Sequence, residues 1–131
     1  MKRSPLRKVS KRKLAILLKN AIRVFNAWIR DRDKKRLRGK CYTCGGKGTQ
    51  AGHFRHSANS VRFNEKNVNL QCVRCNKYLS GNLGIYAIKL VEEYGKQEVD
   101  NLIRLSWKTK QHSEKELLDV IKRYSLNIDF W

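Results

Sequence analysis

Two Cys-x-x-Cys pairs, Cys41/Cys44 and Cys72/Cys75, use every cysteine in a chain of 131 residues. A pair at this spacing offers two sulfurs to one tetrahedral ion, and two pairs complete a closed four-cysteine zinc site. Disulfides are the alternative, but a cytosolic chain is kept reduced. A cytosolic location is the expectation, because the longest apolar run is the five residues Leu14 to Leu18, far short of the about 20 that a membrane span needs. The basic start also lacks the cleavage site of a secretory signal. Structural Zn2+ is therefore expected on Cys41, Cys44, Cys72 and Cys75. Gly45 and Gly46 follow the first pair, as a tight knuckle turn would want. The 27 residues between the pairs exceed the gap of the simplest ribbons, so the ion must brace something built between them.

Either side of this centre the pattern is helical. Residues 1–9 carry the one proline and no period, and read as a flexible basic arm. Leu14, Leu17, Leu18, Ala21, Ile22, Phe25, Trp28 and Ile29 form one stripe at 3.6-residue spacing, which predicts a basic amphipathic helix within 10–39 that starts near Ser10 and ends near Arg36–Gly39. The centre, 40–82, holds five of the eight glycines and two of the three histidines. Arg62–Asn64 and Asn67–Gln71 are its candidate strand pieces, with Glu65 and Lys66 near a turn. Within 83–131 the stripe Leu83, Tyr86, Ala87, Leu90, Val91 and Tyr94 stops at Gly95. A second stripe follows at Val99, Leu102, Ile103 and Trp107. Ser113 and Glu116 make a capping box for a last helix carrying Leu117, Ile121 and Tyr124. The fold class expected is α+β, mostly helical, with these helices belonging to the same domain as the zinc-braced centre.

Charge narrows the partner. Thirty Lys and Arg against eleven Asp and Glu give +19. Residues 1–40 hold sixteen basic and two acidic residues, so most of that excess lies in the first third. A field of this sign recruits polyanions, and in the cytosol that means nucleic acid. No lipidation motif accompanies the charge, so no membrane partner is expected.

Chemistry enters between the cysteine pairs. Ala51-Gly52-His53-Phe54 places a histidine after a short strand; Asn67 stands fourteen residues on and Asn76, directly after Cys75, nine further. This register resembles that of the HNH, or ββα-metal, nucleases, in which a four-cysteine zinc often braces the hairpin and helix. The resemblance implies a ββα core with His53 as general base, Asn76 as ligand of a catalytic Mg2+ or Mn2+, and Asn67 as the residue that pins the loop and orients the base. Those residue types suit phosphodiester hydrolysis. Imidazole can take a proton from water near neutral pH, and a neutral amide oxygen suits a hard ion that keeps most of its waters.

The segments FNAWIRDRD (Phe25–Asp33), CYTCGG (Cys41–Gly46), AGHFR (Ala51–Arg55) and RFNEKNVNLQCVRCNKYLSGNL (Arg62–Leu83) resemble the lambdoid phage recombination endonucleases called NinG or Rap. That likeness runs from about residue 15 to 125. It implies metal-dependent cleavage of branched DNA, such as Holliday junctions and D-loops, to 5′-phosphate and 3′-hydroxyl ends. One departure from the broader HNH pattern stands out. The residue before the base is usually an Asp or His that binds the metal, and here it is Gly52. The one carboxylate between Asp33 and Glu92 is Glu65, which with His56 makes the remaining candidates for metal ligation. Arg55, Arg62, Arg74 and Lys77 are candidate contacts to the DNA backbone. Symmetric cutting of a junction needs two active sites, which makes a homodimer an option, with the Leu14–Ile29 stripe as one possible seam. The alternative is a non-catalytic zinc module that binds DNA or RNA structure.

Overall fold

A computed structural model describes residues 9–56 and 58–125; residues 1–8 of the expected basic arm and residues 126–131 lie outside them. The first helix, α1 (Lys11–Arg36), starts where the sequence places it. Ser10 caps it, its hydroxyl accepting from the Lys13 N–H at 3.1 Å, which satisfies one of the free N–H groups of the first turn. Lys34, Lys35 and Arg36 crowd its last turn, where positive charge meets the negative end of the helix dipole. Arg38 and Gly39, both at positive φ, turn the chain away.

Two four-residue strands, β1 (Gln50–His53) and β2 (Val68–Gln71), pair antiparallel, with Gln50 opposite Gln71 and His53 opposite Val68. Residues alternate faces along a strand, so Ala51, Val68 and Leu70 point one way and Gly52, Asn69 and Gln71 the other. Arg62–Asn64, expected as a strand piece, is a turn. It follows a 3-10 turn at Asn59–Val61, and its backbone bonds run locally, Arg62 N–H to the Asn59 carbonyl and Asn64 N–H to that of Val61. After β2, a single π-helical turn (Arg74–Tyr78) is broken by Ser80, Gly81 and Asn82, all at positive φ. Then come α2 (Leu83–Tyr94), α3 (Lys96–Ser106) and α4 (Glu114–Ser125). The Ser113 box forms as expected: the Glu116 N–H donates to the Ser113 hydroxyl and the Ser113 N–H to the Glu116 carboxylate, both at 3.2 Å.

Two apolar clusters share the hairpin. On one side Val24, Phe25 and Ile29 of α1 pack with Val68 and with Tyr124 of α4, with Ala51 at the edge. The Phe25 and Tyr124 rings meet edge to face at 4.8 Å. On the other side Tyr86 and Leu90 of α2 and Val99 and Leu102 of α3 pack with Phe54 and Val61. Of the α1 stripe, Ala21, Phe25 and Ile29 are buried, the last two in the cluster with α4 and the hairpin, while Leu14, Leu17, Leu18, Ile22 and Trp28 stay half-buried. Trp107, which the α3 period assigns to the core, is 71% exposed, because the helix stops at Ser106 and the indole falls on its cap. Among the described residues no helix is long and apolar enough to cross a membrane.

Candidate metal centre and the residues around it

The first knuckle, Cys41 to Gly46, lies between the end of α1 and β1; the second starts directly after β2. Gly45 takes the left-handed φ of +78° that the first turn requires. All four sulfurs lie within 4.8 Å of one another, and those of Cys44 and Cys72 are 3.6 Å apart. A zinc–sulfur bond of about 2.3 Å implies a tetrahedral edge of about 3.8 Å, so the cluster has the dimensions of a four-sulfur ion site. Backbone N–H groups point at the sulfurs, Cys75 N–H to Cys72 at 3.4 Å and Gly46 N–H to Cys44 at 3.4 Å. Burial pushes the Cys41 thiol up, but hydrogen bonds from the Thr43 hydroxyl and nearby backbone outweigh it and hold it at about 6. At Cys44 the Gly46 N–H pulls down, while burial and the neighbouring sulfurs push the thiol up to about 12. Four thiolates this close need a cation to coexist, and the cluster could hold zinc.

His53 ends β1. Its Nε2 is buried with no hydrogen-bond partner among the described residues. Burial lowers its pKa to about 4, helped by the charge of Arg62 and by His56, while a hydrogen bond to the Arg62 backbone works the other way. The ring is therefore neutral at physiological pH. Asn67, fully buried, staples the loop that follows. Its Oδ1 accepts from the Arg55 N–H at 2.8 Å, and its Nδ2 donates to the carbonyls of Arg55 at 3.2 Å and Val61 at 3.1 Å. Asn76 lies on the π turn, where its Nδ2 donates to Gln50 Oε1 at 2.9 Å. That bond ties the turn to β1.

Gly52 is enclosed. A Cβ placed on it would lie 1.8 Å from Gln71 Oε1, so no side chain fits there while Gln71 keeps its place. Gln71 is held by its own donors, Nε2 reaching Thr43 Oγ1 at 3.1 Å and the Gly81 carbonyl at 2.9 Å. The other candidate ligands separate. The Glu65 carboxylate accepts from the Tyr124 hydroxyl at 2.9 Å and lies 3.6 Å from Arg123, so α4 has engaged it. His56 is exposed on the loop after β1. These two line different cavities, which argues against their sharing an ion. Among the basic candidates, Arg62 influences His53, Arg55 donates to Ser106 Oγ at 3.0 Å, and Arg74 and Lys77 stand exposed on the Asn76 turn.

The family model described as Bacteriophage Lambda NinG protein matches residues 2–129. The chain belongs to the NinG family. It is 36% identical over 99 residues to protein ninG of Escherichia phage lambda, covering 74% of this chain and 48% of that protein. Protein ninG of Salmonella phage P22 is 36% identical over 99 residues, 74% of this chain and 49% of the relative. That of Enterobacteria phage H19B is 34% identical over 105 residues, with the same coverage. The chain spans about half the length of these curated NinG relatives. No solved structure matches it.

Sequence reasoning passed over one cluster in this NinG-family chain. Asp33, fully buried, lies between Arg32 and Arg36, each with Nε 2.8 Å from its Oδ1, and accepts the Leu70 N–H at 2.9 Å. Arg32 continues to the Glu65 and Val68 carbonyls, both at 2.9 Å. Asn69 Nδ2 donates to the Tyr86 hydroxyl at 3.1 Å, which in turn donates to the Gly52 carbonyl at 2.7 Å. A polar chain thus links the end of α1 to the residue before His53. Its signal was present: Asp33 stands four residues after Ile29 and eight after Phe25, on the line of the buried stripe.

Proposed function

We propose that this protein is a divalent-metal-dependent endonuclease acting on branched DNA, with an HNH-like ββα-metal core and host-cytoplasmic action. One observation carries the reading: a neutral, half-buried histidine whose enclosed Nε2 has no partner among the described residues, at the end of a strand whose following loop is stapled by a buried asparagine. An unmade buried hydrogen bond costs about 1–3 kcal/mol, and a catalytic role is one reason for a fold to carry such a group. Membership of the NinG family, the positive charge and the four-cysteine brace support it. The branched substrate rests on the family resemblance.

In this mechanism His53 Nε2, enclosed in this structure, meets a water that enters with the substrate and takes its proton, and the hydroxide attacks the phosphorus in line with the departing 3′ oxygen. Asn67 holds the Phe54–Val61 loop, keeping Arg62 beside the imidazole. Asn76 would supply the chain's own oxygen for the ion. A single neutral amide fits a hydrated Mg2+ or Mn2+ that relies on its waters and the substrate's phosphates. When bound, such an ion stabilises charge on the phosphate and the leaving oxygen. Arg55, Arg62, Arg74 and Lys77 would hold the backbone on either side.

A second reading, a zinc module that binds nucleic-acid structure without cutting, is favoured by the enclosed Gly52 and by the engagement of Glu65 elsewhere. The two part on a labelled four-way junction incubated with Mg2+ or Mn2+. The wild type should cut it. His53→Ala should lose about 10²–10⁴ in rate with junction affinity held within a few-fold, because binding rests on Lys and Arg. The acid limb of the wild-type rate profile should fall near 4, where His53 becomes protonated. Tight binding with no cleavage would establish the second reading, and cleavage by His53→Ala at the wild-type rate would remove His53 as the base.

A further inference from the structure

The loop after β1 and the connection between α3 and α4 face each other across an open cleft of about 580 Å³. Phe54, Arg55 and His56 line one side and Trp107, Lys108 and Lys110 the other. His53 immediately precedes the first wall but does not itself line the cleft. No carboxylate lines it, although Lys110 Nζ is 2.7 Å from Glu116 behind it. Lys108 makes no ion pair among the described residues. The two walls are tied together. Arg55 Nε donates to Ser106 Oγ at 3.0 Å, Ser60 Oγ to the Leu105 carbonyl at 2.6 Å, and Asn59 Nδ2 to the Lys110 carbonyl at 3.4 Å. His112 Nε2 meets the Asn59 carbonyl at 2.9 Å.

Trp107 is the unusual member. An indole left 71% exposed forgoes burial worth roughly 2–3 kcal/mol. A scattered exposed aromatic is ordinary on a protein surface. This one borders a pre-formed cleft of ligand size whose remaining charged groups are cations. An aromatic face beside lysines and an arginine is the combination that holds a single nucleic-acid strand, the base stacking on the ring while the phosphates meet the cations. A paired base cannot offer its face to the indole without leaving the duplex stack.

We propose that this cleft binds an unpaired nucleotide of a DNA strand, with its base stacked on Trp107 and its phosphates held by Arg55, Lys108 and Lys110. The inference rests on the nucleic-acid reading above but not on cleavage. It gives that reading a source of selectivity for branched DNA with an unpaired strand, such as a D-loop or an opened branch point, next to the end of β1.

The test is fluorescence anisotropy of the full chain with a labelled oligothymidylate and, in parallel, a fully paired duplex at the same salt. Trp107→Ala should weaken oligothymidylate binding by about 5- to 100-fold, leave duplex binding within about twofold, and keep the wild-type circular dichroism, since the ring is exposed. Trp107→Phe should restore most of the loss. Lys108→Ala should weaken both probes and flatten the single-strand salt slope by about 0.7. Equal loss on both probes, or none on either, after Trp107→Ala would overturn the inference. Wild-type protein that cuts junctions while Trp107→Ala binds oligothymidylate normally overturns this inference alone. Stacking on Trp107 in a protein that cuts nothing supports it and overturns the nuclease.

Discussion

Asp33 shows how one residue ties a basic helix to the cysteine-rich centre. Burial alone would raise its carboxyl, but hydrogen bonds from Arg32, Arg36 and the Leu70 N–H, with the charge of Arg32, hold it below its ordinary value of 3.8. Because its pKa is lower folded than unfolded, its contribution is complete above the unfolded value and is lost as pH falls through the folded one. Asp33→Ala leaves two guanidinium groups facing each other without their acid, and should destabilise the fold by about 3–5 kcal/mol at neutral pH. Asp33→Asn should flatten the acid dependence of stability below about pH 4. Urea titrations across that range check both, and a loss under about 1 kcal/mol for Asp33→Ala would mean the cluster acts as a surface pair does.

At the level of elements, local chemistry was legible and long-range partnership was not. The Ser10 start, the five-turn stripe, the Gly95 stop and the Ser113/Glu116 box all follow from side chains acting within one or two turns, and all are seen. Val68–Gln71 was legible as a strand, but Arg62–Asn64 was not legible as a turn. Its apolar Phe63 fits a strand pattern, and only the partner Gln50–His53 decides which segment enters the ladder. The role of Gln71 over Gly52 was equally hidden, since it depends on register across the hairpin. The bonds of Asn67 to Arg55 and Val61 likewise join positions distant in sequence, and follow from the hairpin's register rather than from any local pattern. The knuckles carry the clearest consequence at this scale. Cys75→Ser removes a buried sulfur from a centre held by two short strands and one helical turn. It should lose bound zinc and most secondary structure together, because metal binding and folding are linked in such modules. Zinc-to-protein ratio with circular dichroism is the measurement, and a folded, zinc-free variant would show that the cysteines do not brace the fold.

For the whole molecule, the excess of +19 should dominate affinity for DNA. If about six phosphates are neutralised, log K should fall against log salt with a slope near −5. A slope above about −2 would mean that few of the cations touch the backbone. The same architecture bears on how the chain comes to exist. The apolar face of α1 is covered mainly by α4, whose residues are among the last described, and by a hairpin that closes only after β2. During synthesis α1 leaves the ribosome well before α4 and waits for partners encoded far downstream. Contacts this distant in sequence are slow to form, and a bare apolar face in the interval favours association with other chains. A nascent chain of this protein is thus most vulnerable between the emergence of α1 and that of α4.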